Sequence, residues 1–162
     1  MRTVLLWDYE MASEKDSLEG MQPNRRLALA VAAIDWTLET MGPIETDEVR
    51  TYLEEGMHAA RAAVQNGHSK VELTEETLDQ YESVDEVADE PGTSHMLSAL
   101  LACCDIPEQL GAEELYGVLS FCYEGSLDRE DVPEWSPEAE RENARCLEVI
   151  AFQKDLISRM AA

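Results

Sequence analysis

The sequence predicts an all-α protein, a single helical domain over residues 1–162 with about six helices in an orthogonal or bundle-like arrangement. Apolar residues recur at helical spacing in several segments, and short loops join these segments. No alternation of strands with helices is evident, which disfavours a parallel-sheet fold. A length of 162 residues, 44% of them hydrophobic, suits one domain with a sizeable core.

The strongest helical pattern runs over residues 25–42, where apolar side chains nearly surround the predicted helix. We expect this helix to be central and buried, with Asn24 as its cap and Gly42-Pro43 as its stop. A second helix is predicted over residues 47–66. The stripe expected to be buried against it comprises Leu27, Val31, Ile34 and Leu38.

Later segments carry similar start and stop signals, such as Ser136 followed by Pro137 at a first helical position. Gly117 weakens one of the helical patterns, because glycine disfavours a helix interior. The TVLLW segment at residues 3–7 fits either a short strand or a helical turn. The further predicted helices cover residues 74–90, 93–104, 112–123 and 136–160.

The charge is strongly negative, with 12 Lys and Arg against 35 Asp and Glu, which gives a net charge of −23. Such a chain repels nucleic acid and anionic membranes, so we expect no direct binding to either. No apolar run approaches the roughly 18 residues of a membrane span, and the first ten residues lack the features of a signal peptide. These observations predict a soluble, cytoplasmic protein.

The four cysteines, Cys103, Cys104, Cys122 and Cys146, follow no CxxC or zinc-ligand spacing. They stand among apolar residues, so we expect them to be buried as small hydrophobic side chains. A redox pair formed by the adjacent Cys103 and Cys104 is the alternative.

The acidic residues are concentrated in two segments. Residues 72–90 contain nine acidic residues and no basic one, whereas residues 124–142 contain eight together with Arg129 and Arg141. We expect the first to be a helix with an anionic face and the second to be a loop. If this acidity serves binding and not solubility alone, the residues predicted to contact a basic partner are Glu75, Glu76, Asp79, Glu82, Glu86 and Trp135. For Tyr81, on the same predicted helix, we favour core packing.

No motif for a nucleophile or a phosphate-binding loop is present. Glu55 and His58 have an ExxH spacing, which places a carboxylate and an imidazole on adjacent turns of one helix. No second ExxH accompanies it, so we predict neither a metal nor a cofactor. A small helical metal-binding protein or enzyme centred on Glu55 and His58 is the alternative. Asp35, inside the most apolar helix, is expected to form an ion pair or to face solvent, with a catalytic acid as the alternative.

A family resemblance is carried by three features of the sequence. They are the run from Arg26 (RLALA), the Pro-containing break, and the small-residue helix from Gly56 (GMHAARAAV), which closes at Asn66-Gly67. Together, over residues 25–67, they resemble the opening helix pair of all-α immunity proteins from bacterial polymorphic toxin systems. The resemblance implies a non-enzymatic, cytoplasmic bacterial protein that neutralises a cognate toxin. With the charge, it makes the expected partner a basic toxin enzyme such as a nuclease. A phage-type inhibitor that mimics nucleic acid is a further alternative.

Overall fold

A computed structural model describes residues 4–161 of the chain, and within this range the residues form helices and no strand. The all-α prediction is confirmed. Six helices of 12 to 19 residues correspond to the predicted ones. Short helices add to them, so about six was too few. The helices are α1 Leu6–Met11, α2 Lys15–Glu19, α3 Pro23–Thr40, α4 Asp47–Gln65, α5 Glu75–Glu86, α6 Thr93–Cys104, α7 Ala112–Arg129, α8 Pro137–Arg141 and α9 Ala144–Ala161, with a 3-10 turn, Ala12–Glu14.

Helix α7 lies at the centre of the fold and packs against α2, α3, α6 and α9. It was predicted to end at residue 123, but it continues for six residues to Arg129. The added turns are buried at Gly125, Ser126 and Leu127. Their packing against the rest of the core offsets the low helix propensity of glycine, so tertiary contacts lengthen the helix.

Helices α6 and α7 meet backbone to backbone at two glycines. Gly92, which precedes α6, has φ +85°, and a Cβ atom there would lie 2.4 Å from the carbonyl oxygen of Gly125 in α7. The N–H of Gly92 also donates to Oδ2 of Asp128 at 2.7 Å. Because glycine alone accommodates both the left-handed backbone and this approach, Gly92 fixes the start of α6 on α7.

The N-terminal segment is held in the core by buried polar side chains. Trp7 Nε1 donates to Oε1 of Gln153 at 2.7 Å, and Nε2 of Gln153 donates to the Leu119 carbonyl at 3.0 Å. Leu6 and Trp7 are buried within α1, so this part of the TVLLW segment is helical. Residues 1–3, which include the start of that segment, lie outside the described residues.

Glu140 is a fully buried carboxylate that joins three parts of the chain. Its Oε1 atom accepts hydrogen bonds from the Leu6 N–H at 3.0 Å and from the Tyr123 hydroxyl at 2.6 Å. Burial, followed by the hydrogen bond to Glu140, raises the pKa of Tyr123 far above its usual value. The hydroxyl therefore stays protonated and donates to Glu140, which links α7 and α8 to the start of α1.

The single helix predicted over residues 136–160 is divided into α8 and α9. Ser136 caps α8 by accepting from the Ala139 N–H at 3.3 Å. The Asn143 side chain then accepts from the Cys146 N–H at 3.0 Å. This local side-chain bond satisfies a backbone donor at the start of α9, so a new helix begins where the sequence pattern predicts continuity.

Helix α3 begins earlier than predicted, because Pro23 occupies its first turn and Gln22, not Asn24, precedes it. Leu27, Val31 and Ile34 are buried as expected. The fourth residue of the predicted stripe, Leu38, is only half-buried and lines a groove between α3 and α4.

All four cysteines are free and buried, as predicted. Burial raises the pKa of Cys104 to about 12 and that of Cys122 to about 12, and it also raises the pKa values of Cys103 and Cys146. The protonated thiols therefore pack in the core as small apolar side chains.

We predict that Gly92→Ala lowers the free energy of unfolding by at least about 3 kcal/mol, because it combines left-handed strain with a collision against the backbone of α7. The matched control is Gly67→Ala. Gly67 has φ +71°, but a Cβ atom there would meet no atom within 4 Å, so strain alone should cost roughly 1–2 kcal/mol. Urea denaturation of both variants measures the difference, and equal losses would contradict the proposed close contact.

Candidate functional site

Helix α5 is a peripheral element that packs on α4 and α6. The Thr74 hydroxyl caps it by accepting from the Thr77 N–H at 3.1 Å, and the Tyr52 hydroxyl of α4 donates to the Thr77 carbonyl at 2.9 Å. Val84 is the buried residue of α5. The predicted helix over residues 74–90 thus forms, but it stops at Glu86, earlier than expected.

Tyr81 turns inward from α5, in agreement with the core-packing role favoured from the sequence. Its hydroxyl lies 3.3 Å from the Ser98 hydroxyl of α6, and its ring meets that of Tyr52 edge to face with 6.5 Å between centroids. These contacts fix the rotation of α5 about its axis. The opposite face of the helix is consequently turned to solvent.

Five carboxylates occupy that outward face and form the α5 carboxylate surface, and all of them are exposed. No hydrogen bond or ion pair joins any of them to another residue within 4–161. Four of them follow one another at intervals of four, three and four residues, so like charges stand on successive turns and repel one another. The five are Glu75, Glu76, Asp79, Glu82 and Glu86.

A groove of about 560 Å³ separates α5 from α4 and extends this negative surface. Its α4 wall carries Asp47, Glu48 and Glu55, and its α5 wall carries Gln80 and Ser83. Arg50 pairs with Asp47, but no basic side chain of the described chain lines the groove itself. A basic or hydrogen-bond-donating group is therefore the complementary occupant.

Trp135, the sixth residue predicted to bind a partner, lies apart from this groove. It is half-buried in the loop before α8, and its ring centroid is 6.3 Å from that of His95 near the start of α6. The structure therefore brings together the five carboxylates of α5 but does not place Trp135 in the wall of the α4–α5 groove.

The second acidic segment, residues 124–142, was expected to be a loop, but only its middle, residues 130–136, lies between helices. Its beginning belongs to α7 and its end to α8. Asp128 accepts the Gly92 N–H, and Glu140 is buried beneath α1. Several of its carboxylates therefore hold the fold together, which a count of charges along the chain does not reveal.

Glu90 shows the same structural use of acidity within the first segment. Its carboxylate accepts hydrogen bonds from the N–H groups of Glu45 at 3.0 Å and Thr46 at 2.6 Å, and from the Thr46 hydroxyl at 2.7 Å. Arg129 lies 3.8 Å away. The backbone bond from Glu45, then the bonds from Thr46, lower the pKa of Glu90 to about 2. Glu90 thereby anchors the loop before α6 to the start of α4.

The other residues considered for catalysis or metal binding were Asp35, Glu55 and His58. Arg61 donates from Nε and Nη2 to the two carboxylate oxygens of Asp35 at 3.1 and 2.7 Å, which confirms the predicted ion pair between helices. Glu55 and His58 are both exposed on α4. Among residues 4–161, no three His, Cys, Asp or Glu side chains are grouped to hold a metal ion.

A second groove, of about 220 Å³, lies between α3 and α4 and was not predicted from the sequence. Its floor includes Leu38 and Met57, and its rim includes Arg50 and the Asp35–Arg61 pair. Gly42 and Pro43, which line this groove, mark the break between the two helices in the sequence. The size of the groove depends on how α3 and α4 pack in the folded chain, which this break alone does not determine.

Comparisons with protein-family models, with curated proteins and with solved structures give no match to this chain. Within the described range, no helix is long and apolar enough to cross a membrane.

We predict that Glu90→Gln flattens the pH dependence of stability in acid. A carboxylate whose pKa is lowered by folding stabilises the fold at pH values above its pKa in the unfolded chain, about 4.3. This contribution disappears as the pH falls towards 2. The variant should therefore be less stable than the wild type at pH 6 and approach it near pH 2. Urea unfolding midpoints between pH 2 and 6 test this. Asp89→Asn is the control, since Asp89 is exposed beside Glu90, and a parallel pH profile for wild type and Glu90→Gln would contradict the assignment.

Proposed function

We propose that this protein is a non-catalytic, acidic binding protein that neutralises a basic partner through the α5 carboxylate surface and the adjoining α4–α5 groove. The observation that carries the proposal is that five exposed carboxylates on one helix form no hydrogen bond or ion pair with another residue of the described chain. Elsewhere, carboxylates such as Glu90, Asp128 and Glu140 bind groups of the protein itself.

The spacing on α5 works against the stability of the helix. Like charges four residues apart each cost roughly 0.2–0.5 kcal/mol. Glu82 and Glu86 also stand towards the C-terminal end of the helix, where the helix dipole disfavours negative charge. A surface used only for solubility would not need this arrangement, whereas a partner carrying Lys or Arg would relieve the repulsion on binding.

The sequence resemblance over residues 25–67 supports one kind of partner. An immunity protein of a bacterial toxin system binds its cognate toxin inside the producing cell, and a toxin that acts on nucleic acid requires a basic active-site cleft. An acidic helix beside an acidic groove complements such a cleft and accelerates association. The proposed partner is therefore a cytoplasmically acting toxin enzyme, for example a nuclease.

Coexpression with the products of the neighbouring genes tests this proposal. Each product is expressed alone and together with this protein in a bacterial host. We expect one of them to arrest growth alone and to be tolerated in the presence of this protein. The proposal fails if no neighbouring product is toxic, or if the toxic one is not neutralised.

We predict that Glu82→Gln/Glu86→Gln slows association with the neutralised product several-fold at low salt and reduces the salt dependence of the association rate. The same variant should be slightly more stable, because repulsion on α5 is removed. Stopped-flow kinetics at two ionic strengths and urea denaturation measure the two effects.

The matched control is Glu138→Gln/Glu142→Gln, which removes the same charge from two exposed residues of α8 and its C-terminal end. It should leave the association rate close to that of the wild type. An equal slowing in both variants would show that net charge, and not the α5 carboxylate surface, governs the encounter.

A further inference from the structure

Helix α5 is held to the rest of the fold by few buried side chains. It has the same length as α6, 12 residues, yet Val84 is its one buried residue, whereas seven residues of α6 are buried. Leu78 and Tyr81 of α5 are half-buried against the core. An isolated helix of this length is marginal in water, so α5 depends on its packing to remain helical. Because this packing is slight, α5 is locally less stable than α6.

Hydrogen bonds add little to this attachment. Besides the bonds of Tyr52 and Tyr81 described above, the Ser94 hydroxyl of α6 donates to Oδ1 of Asp85 at 2.8 Å, at the surface of the protein. Water replaces such bonds when they open, so each contributes only a small net free energy. These bonds therefore orient α5 more than they hold it in place.

The segment that contains α5 is fixed at both of its ends. At one end, Val71 is fully buried, and its N–H donates to the Cys103 carbonyl at 3.0 Å. At the other end, Glu90 accepts the hydrogen bonds from Thr46 described above. Residues 72–89 can thus leave α4 and α6 while both ends stay attached to the core. We call this segment the α5 strap.

The contact between α4 and α6 does not depend on the α5 strap. The two helices meet directly at Gly56, where a Cβ atom would overlap Cδ2 of Leu100. The α4–α5 groove already separates α5 from α4 over part of its length, and a groove of about 270 Å³ lies where Tyr81 meets Ser98 and Leu101 of α6. Opening of α5 would therefore leave α4 and α6 packed against each other.

The charges of the α5 carboxylate surface favour the open state of the strap. In the closed state, the helix holds like charges on successive turns, where they repel one another. In an open, flexible segment, the same charges can move apart. Salt screens this repulsion, and replacement of the carboxylates by amides removes it.

We infer that the α5 strap opens as a unit while the rest of the fold stays closed, and that neutralisation of the α5 carboxylate surface closes it. The inference goes beyond the proposed function, because it concerns the free protein and holds whether or not the partner is a toxin. A basic molecule that binds the closed helix would shift the equilibrium towards closure, because it relieves the repulsion.

Hydrogen exchange of the backbone amides, followed by NMR at low salt, tests the opening. Relative to intrinsic rates, the amides of residues 81–86 should exchange at least about 100-fold faster than the buried amides of α7. Exchange of α5 as slow as that of α7 would overturn the inference, because α5 would then open only on global unfolding. Protection that falls steadily towards one end of α5 would overturn it as fraying, and equally fast exchange in α4 and α6 would overturn the independence of the strap.

A destabilised core tests whether the opening is independent of global unfolding. Leu27 of α3 is fully buried, and Leu27→Ala leaves a cavity in the core. The exchange of α7 should become at least about tenfold faster in this variant, whereas the exchange of α5 should stay at the wild-type rate. If α5 exchange accelerates by the same factor as α7 exchange, the strap does not open by itself and the inference fails.

Glu82→Gln/Glu86→Gln tests the role of charge. At low salt it should slow the exchange of α5 amides about two- to fourfold, because repulsion in the closed helix is reduced. About 0.5 M NaCl should slow α5 exchange in the wild type by a similar factor. The control Glu138→Gln/Glu142→Gln should leave α5 exchange unchanged. Equal slowing in both variants, or no response of α5 to either the substitution or the salt, would overturn the control of closure by charge.

Discussion

The close approach of α6 to α7 at Gly92 and Gly125 is the constraint on which the rest of the structure depends. The backbones at Gly92 and Gly125 lie so close together that a Cβ atom on Gly92 would collide with the Gly125 carbonyl oxygen. Helix α7 can then be surrounded by α2, α3, α6 and α9. The position of α6 in turn supports α5 through the contact of Tyr81 with Ser98. The outward direction of the α5 carboxylate surface is therefore a remote consequence of two glycines.

The acidity of the chain serves two physical purposes. Glu140, Glu90 and Asp128 accept hydrogen bonds from backbone N–H groups that lie far away in the sequence, and they fasten α1, α4 and α6 to the fold. Hydrogen bonds from backbone N–H groups to a carboxylate are stronger than bonds between neutral groups, so these carboxylates stabilise the fold. The carboxylates of α5 have no such donors among the described residues and remain available to another molecule.

Two places in the structure depart from what local stability favours. On α5, like charges repeat along one face, and on α7, Gly117 stands in a helix interior with open space beside it. Natural sequences usually agree with their structure at every level, and departures without a local compensation are typical of functional sites.

The sequence by itself determined the all-α class, the six long helices, the burial of the cysteines and the carboxylates of α5, because apolar periodicity and charge are local properties. Only the tertiary structure decided that α7 extends to Arg129 and that the acidic segment at residues 124–142 is partly structural. These two features depend on contacts between distant residues, such as Glu140 with Leu6, and no local pattern encodes them. The new helix at Asn143 depends on a local bond from the Cys146 N–H to the Asn143 side chain, and the apolar periodicity of the segment did not reveal it. Gly117 is a similar case. A glycine in the sequence predicts a weak helix, whereas the open space beside Gly117 is seen only in the folded chain.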